Sequence, residues 1–361
     1  MFIDTIGFNG GAERQFAGLA VMLVEKGFHV DVLAYYPEKG YKNFIEAGGA
    51  KVHILDFGKS RSNKILCAKR VIDNLSPDVV ISYKNGPNII ACLLKLLGAK
   101  WKLIVSDRNT LQGMSFPIRI QYLLYRFANS IVPNSISQYN FIAHAFPHLE
   151  WKTNVITNFT DTDIFHPLTR INKTDKSTIK KLLVVGRITP QKNVLLFLDA
   201  IDKLKRKCAT RFIVEWYGGQ KDHAYIDLCK RKLRDLNLSD VFIFKNPSQN
   251  MPEIYRSADI FCLPSIYEGF PNVLCEAMAS GLPVAASRIC DNPYIVTEDI
   301  DGVLFDPNDI NDIVSKLQLL IEMDSQKLSD MGCKARLSAI DKCSKIEFIN
   351  SYNQLITEIL N

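Results

Sequence analysis

The chain has 361 residues, of which 47% are hydrophobic and 23% charged, with a formal net charge of +6. That length points to two domains and that composition to an ordinary globular protein. No run of about eighteen apolar residues offers a membrane-spanning helix, and the opening Met1-Phe2-Ile3-Asp4 lacks the basic-then-apolar order of a signal peptide.

The charge is uneven. Residues 1–170 hold 19 Lys and Arg against 13 Asp and Glu, whereas residues 171–361 hold 25 of each. The excess reads as a modestly basic surface, or as one drawn to an anionic acceptor or to acidic lipid at the inner face of a membrane. With no dense basic run and no aromatic-basic RNA motif, nucleic acid is not an expected partner. The nine cysteines are scattered without Cys-x-x-Cys spacing. That pattern argues for reduced, structural thiols in a cytoplasmic protein and against zinc.

In chain order, a short opening strand, Met1–Ile6, runs into Gly7-Phe8-Asn9-Gly10-Gly11-Ala12-Glu13-Arg14. A glycine-rich turn at a helix start presents backbone amides that suit an anion. Strand patterns follow at Val30–Tyr35, Lys51–Leu55, Val79–Ser82, Lys102–Ser106, Ser130–Asn134 and Asn154–Asn158. Helical patterns separate them, among them Glu13–Lys26, Lys64–Leu75, Asn88–Leu97 and Pro117–Ala128. Continuous apolar strands alternating with helices signal a parallel sheet covered on both faces. Phe116–Phe127 is apolar and aromatic, and reads as a core helix or as a groove for a lipid acceptor.

A first domain over residues 1–168 ends in a polar linker, 169–180, and the alternation restarts over 181–344. Strands are expected at Lys181–Gly186, Phe212–Tyr217, Val241–Phe244, Ile260–Pro264, Pro283–Ser287 and Gly302–Phe305. Ligands of such sheets bind beyond the carboxyl ends of the strands, and the informative turns fall there. One is Gly186-Arg187-Ile188-Thr189-Pro190-Gln191-Lys192-Asn193, where Arg187 and Lys192 could take up negative charge. Another is Tyr267-Glu268-Gly269-Phe270-Pro271-Asn272-Val273-Leu274-Cys275-Glu276, with a helix starting at Pro271 or Asn272 and stopping at Gly281. A final helix, 345–361, carries Ile349, Tyr352, Ile356 and Ile359 on one face and is expected to pack back on the first domain.

Glu268 and Glu276 with their flanking residues resemble the Glu-x7-Glu motif of the family-four retaining glycosyltransferases, and Gly186-Arg187…Lys192 is similar to that family's cation-bearing turn. The resemblance implies an α/β, GT-B architecture of two Rossmann-like doubly wound domains with an interdomain cleft. It assigns Glu268 to donor-sugar hydroxyls, Glu276 to the nucleotide ribose, and Arg187 and Lys192 to the diphosphate. Gly186, Gly269, Phe270, Pro271, Asn272 and Val273 would line the donor site, with Asn246 near the base and Gly10 and Gly11 facing the diphosphate or the acceptor. Where many members carry a histidine, this chain has Arg108-Asn109; Arg108 reads equally as an acceptor-side contact or as a structural ion pair. His166 lies in an element that reads as structural.

The activity implied is metal-independent, cofactor-free transfer of a hexosyl or N-acetylhexosaminyl group to a glycan or lipid-linked acceptor. A UDP-sugar donor is favoured over a GDP-sugar, as in enzymes that build bacterial surface polysaccharides, lipopolysaccharide or capsule. A GT-B nucleotide-sugar epimerase and a non-catalytic sugar-binding protein are the alternatives. A nicotinamide dehydrogenase is poorer, since the first turn lacks a clean Gly-x-Gly-x-x-Gly.

Overall fold

The computed structural model describes residues 1–8, 10–36, 40–55, 63–108, 113–167, 179–219 and 222–361. The chain forms two compact units, Met1–Asn158 with Ile346–Asn361, and Phe159–Lys345.

The first unit runs β1 (Phe2–Thr5), α1 (Gly11–Glu25), β2 (Asp31–Tyr36), α2 (Lys42–Ala47), β3 (Lys51–Ile54), α3 (Asn63–Leu75), β4 (Val79–Tyr83), α4 (Asn85–Leu96), β5 (Lys102–Asp107), α5 (Phe116–Tyr125), β6 (Ser130–Pro133) and α6 (Ile136–Ala145). Its strands pair in parallel in the order β3-β2-β1-β4-β5-β6. Strand order therefore reverses between β1 and β4, where the connections that leave these two strands run to opposite sides of the sheet.

The second unit runs β7 (Ile179–Val185), α7 (Val194–Lys207), β8 (Arg211–Tyr217), α8 (His223–Asp235), β9 (Phe242–Lys245), α9 (Met251–Ser257), β10 (Ile260–Leu263), α10 (Asn272–Ala279), β11 (Val284–Ser287), α11 (Asn292–Ile295), β12 (Gly302–Phe305), α12 (Ile310–Ile321) and α13 (Ser325–Cys343). Its parallel order, β12-β11-β10-β7-β8-β9, has its reversal between β7 and β10. The alternation of side chains along a strand splits the apolar runs between two cores. Leu182, Val184, Ile260 and Cys262 pack with Phe197, Trp216 and Phe242 on one face. Leu183, Phe261 and Leu263 pack with Leu274, Met278 and Phe270 on the other. Ordinary caps start several helices: the Asp222, Asp309 and Asp324 carboxylates accept from backbone amides of α8, α12 and α13.

The last helix, α14 (Lys345–Leu360), buries Phe348, Ile349, Tyr352, Leu355 and Ile356, and from Ile346 onward it belongs to the first unit. Its Tyr352 hydroxyl lies 3.0 Å from that of Tyr83 at the end of β4.

Three expectations change. Asn154–Asn158 forms no strand: Asn154 and Ile156 donate to the Ile131 and Pro133 carbonyls, yet only an isolated Ile131–Thr153 bridge results. Pro133 has no N–H to return, so the ladder stops there. The change of unit falls at Asn158/Phe159 rather than after residue 168. Phe165 is already in a core of the second unit, and Arg256 and Arg336 donate to the carbonyls of Ile164, His166, Thr162 and Phe165. Of the expected linker, Ile179 and Lys180 begin β7, while residues 169–178 lie outside the described residues.

Candidate active site

In the second unit, the turns leaving β7 and β10 flank the reversal of strand order and bring Lys192 and Glu268, both singled out in sequence, into contact. After Gly186 the chain makes a short 3-10 turn, Pro190–Lys192, and re-enters α7 through Asn193, which is held in the left-handed region (φ 60°). Such a conformation is tolerated by asparagine more readily than by most side chains. Here the Asn193 amide donates to the Pro307 carbonyl at 2.7 Å.

This turn throws Lys192 back over Gly186. A Cβ at Gly186 would stand 3.0 Å from Lys192 Cε, so a glycine gives the lysine stem its path. The Gly186 carbonyl accepts from Trp216 Nε1 at 2.8 Å, and a Cβ on Gly218 would fall 1.8 Å from that same oxygen. The β7 and β8 turns are thus pressed together, and only glycine fits at 218.

The β10 turn supplies the acid. Lys192 Nζ donates to Glu268 Oε1, and Ser265 Oγ donates to the same oxygen at 2.6 Å. Lys192 and Glu268 are both buried to about nine-tenths. Glu268 Oε2 and the remaining ammonium hydrogens of Lys192 have no hydrogen-bond partner among the described residues. A fixed, partly desolvated cation and an acceptor oxygen are thereby presented side by side. Two backbone ties lock the turns to each other: Ile266 N to the Gln191 carbonyl (2.9 Å) and Gln191 Nε2 to the Tyr267 carbonyl (2.9 Å).

Arg187, on the same turn as Lys192, is exposed and has no ion-pair partner among the described residues. Gly269 and Phe270 lead to Pro271, which caps α10, so the helix opens at Asn272 and Val273, both half-buried. Glu276 sits on this helix, buried, its Oε2 accepting from the Tyr255 hydroxyl at 3.0 Å. Gly281, at φ 77°, ends the helix in the left-handed conformation that glycine allows. Asn246 is exposed in the β9 turn, beside Gly218, whose amide donates to the Lys245 carbonyl at 3.2 Å.

At the corresponding reversal in the first unit, the turn after β1 and the turn after β4 meet in a second Lys–Glu pair. Gly10, extended, and Gly11 open α1, with Glu13 in its first turn. Lys84, at φ 69°, donates to Glu13 Oε1 at 2.6 Å and lies 3.0 Å from Asp4. Burial works against the Lys84 charge, but the two carboxylates outweigh it and hold its pKa above the ordinary lysine value.

Arg108 is neither exposed nor, among the described residues, ion-paired. Its Nε donates to Ser106 (2.7 Å), NH1 to Asn158 (2.7 Å), and NH2 to Tyr83 (2.9 Å) and Tyr352 (2.8 Å), with the guanidinium over the Tyr83 ring. Burial opposes its charge, and the two tyrosine oxygens more than compensate, so its pKa stands above the ordinary value. Burial likewise pushes the Tyr83 hydroxyl well above the tyrosine range, so both groups keep these protonation states at neutral pH. The residue fastens α14 to β4 and β5 through neutral hydrogen-bond partners rather than through a structural ion pair. Asn109 lies outside the described residues. His166 is bound by Arg256, which donates to its carbonyl and approaches its ring at 2.8 Å.

Ser265, Tyr255, Gln191, Lys84 and Asp4 were not singled out in sequence. Ser265 borders the Glu268 motif and Lys84 directly follows a strand, so both carried a local signal; Tyr255, on another helix, carried none. Among the described residues no group of three His, Cys, Asp or Glu side chains gathers as a metal site. A cavity of about 310 Å³ in the first unit, lined by Phe2, Leu33, Asp31, Val79 and Ile356 among others, opens at the amino ends of β1, β2 and β4, away from these turns.

Comparison with known proteins bears on this geometry. Residues 9–164 match the model of "Glycosyltransferase Family 4" and residues 169–338 that of "Glycosyl transferases group 1". The chain is 25% identical over 364 residues, covering 95% of each chain, to an N-acetylgalactosamine-N,N'-diacetylbacillosaminyl-diphospho-undecaprenol 4-alpha-N-acetylgalactosaminyltransferase of Campylobacter jejuni. It is 27% identical to the amylovoran biosynthesis glycosyltransferase AmsD of Erwinia amylovora, over 85% of each. Among solved structures, Anabaena Alr3699/HepE in complex with UDP superposes with a TM-score of 0.85 at 18% identity, over 99% of each chain.

Proposed function

The chain belongs to the family-four glycosyltransferases of the GT-B fold, and from that premise we propose that it transfers a hexosyl or N-acetylhexosaminyl group from a UDP-sugar to a glycan or lipid-linked acceptor, with retention and without a metal. Bacterial polysaccharide biosynthesis is the setting in which its relatives are named.

The observation that carries the proposal is the buried Lys192–Glu268–Ser265 cluster at the strand reversal of the second unit. When the bond from the anomeric carbon to the diphosphate oxygen breaks, negative charge grows on the leaving phosphate. Lys192 spends one ammonium hydrogen on Glu268 and has others for that oxygen, and Arg187 adds a second cation from the same turn. Glu268, its Oε1 immobilised, offers Oε2 to sugar hydroxyls; Glu276, oriented by Tyr255, accepts from the ribose. The acceptor hydroxyl attacks from the face the diphosphate leaves, and its proton passes to the departing phosphate oxygen. Charges balance and no enzyme nucleophile is needed. The α linkages in the names of two relatives support retention, since UDP-sugars of this kind carry an α-linked diphosphate.

Uridine is supported by the name of a relative that uses UDP-Gal and by UDP in the titles of solved neighbours. Lipid-linked acceptors are supported by the two relatives named for diphospho-undecaprenol substrates. No helix among the described residues is long and apolar enough to cross a membrane, so contact with such an acceptor would be peripheral, through the basic first unit.

A thermal-shift screen tests the donor. Ligand at about 100 times its Kd stabilises by about 2.7 kcal/mol, so UDP and a UDP-sugar should raise the melting temperature where GDP and GDP-sugars do not. Stabilisation by guanosine nucleotides alone, or by none, overturns the uridine assignment. The preferred donor is then incubated with and without a sugar-diphospho-polyprenol: a new glycosidic product that requires acceptor is expected, and donor rearranged without acceptor would refute transfer.

A further inference from the structure

Helix α5 has two unlike faces. Gln121, Tyr122 and Tyr125 are buried, with Tyr122 donating to Asp107 at 2.6 Å and Gln121 donating to Tyr125 at 2.8 Å. On the other side Phe116, Ile120 and Leu123 stand 75%, 43% and 56% exposed. Their spacing of four and then three residues puts all three on one stripe. Scattered exposed apolar residues are normal on any surface, whereas a stripe of three large ones at helical spacing marks a place of contact.

The charge around the stripe says what it contacts. Arg119 and Arg126 are exposed and lie along one flank of the same face. From Arg108 to Leu149 the sequence contains no aspartate or glutamate, and the first 170 residues hold the whole positive excess of the chain. Apolar side chains bordered by arginines whose stems can lie along lipid while their heads stay at the phosphates describe a helix resting in a membrane interface. A protein partner would have to match a surface with apolar and cationic groups and no anion to pair with.

We infer that the outer face of α5, with Phe116, Ile120 and Leu123 as the inserting residues and Arg119 and Arg126 as the phosphate contacts, seats the first unit on an anionic lipid bilayer. This rests on the lipid-linked reading of the acceptor and names the surface that brings the enzyme to it.

The full chain is co-sedimented with phosphatidylcholine vesicles with and without about 30% phosphatidylglycerol. Binding to the anionic vesicles alone, weakened by salt, is expected. Phe116→Ser/Ile120→Ser/Leu123→Ser and, separately, Arg119→Glu/Arg126→Glu should each lower the partition coefficient about tenfold or more. Leu337→Ser, at a comparably exposed position of the second unit, should leave it unchanged. All of these side chains are exposed, so the melting temperatures should match the parent. Transfer to a lipid-linked acceptor held in the vesicles should fall with binding, while transfer to a short-chain, water-soluble acceptor should not. Absence of binding by the parent chain, equal binding to neutral vesicles, or parent-like binding by the triple variant overturns the inference. So does a dimer that the triple variant disperses without loss of vesicle binding, since the face would then join two copies. The soluble-acceptor reaction keeps the two proposals apart: its failure would count against the transfer reading and leave the vesicle result standing.

Discussion

Replacing Lys192 with methionine keeps the stem that crosses Gly186 and removes the charge that neutralises Glu268. Glu268 would then be a buried carboxylate with Ser265 as its remaining side-chain donor. Breaking a fully buried pair from one side costs about 3–5 kcal/mol. The two side chains here remain 11% and 10% accessible and Ser265 still donates, which brings the loss below that range, to about 2–3 kcal/mol. For a unit of this size each kcal/mol moves the melting temperature by about 2–4 °C, so a drop of about 4–12 °C is expected. Glu268→Gln removes the other charge and should cost a similar amount by stranding the ammonium. The double variant leaves neither charge stranded, and its loss should fall short of the sum by about 2 kcal/mol. Trp216, buried beside the turn, reports on the second unit in a Trp101→Phe/Trp151→Phe background. Turnover separates stability from chemistry. Lys192→Met should lower kcat/KM about 10²–10³-fold, and the double variant should recover stability without recovering rate, because the leaving phosphate still lacks its cation. Losses that add to within about 0.5 kcal/mol, or a Lys192→Met enzyme with parental kcat/KM, would refute the reasoning.

Arg187, exposed and unpaired among the described residues, should behave differently: Arg187→Ala lowers turnover about tenfold to a thousandfold with the melting temperature unchanged, measured by steady-state kinetics and calorimetry. Gly218→Ala drives a Cβ to within 1.8 Å of the Gly186 carbonyl; it should destabilise the second unit by about 1–3 kcal/mol and weaken donor binding, as read by denaturant melts and UDP titration. Glu298, drawn down to about 2 by Lys316 and then Arg288, contributes stability that is present above its ordinary 4.5 and lost as pH falls toward 2. Because these groups are partly exposed the contribution is modest, and Arg288→Ala/Lys316→Ala should flatten the acid-side decline between those values in pH-dependent melts.

Much of this protein could be read along the chain because the signals are local. Apolar strands that must be covered on both faces spell out a parallel α/β sheet wherever they alternate with helices, and Glu268, Glu276 and Gly281 mark their turn and helix within a few residues of each other. Where local pattern misled, a partner was missing from view: Asn154–Asn158 has the composition of a strand, but Pro133 on the neighbouring edge cannot return the hydrogen bond.

What the sequence alone determined is the alternation of strands and helices, the position of the glycine-rich and acidic turns at strand ends, and the uneven charge of the two halves. What only the tertiary structure decided is which of those turns meet. Lys192 and Glu268 are 76 residues apart, Glu13 and Lys84 are 71 apart, and Arg108 and Tyr352 are 244 apart. The crossover connections of a doubly wound sheet bring the first two pairs together at the reversals of strand order, and the return of α14 to the first unit brings the third. A lysine's partner is fixed by that topology and by the glycines that let two backbones touch, neither of which leaves a mark on the residues next to it.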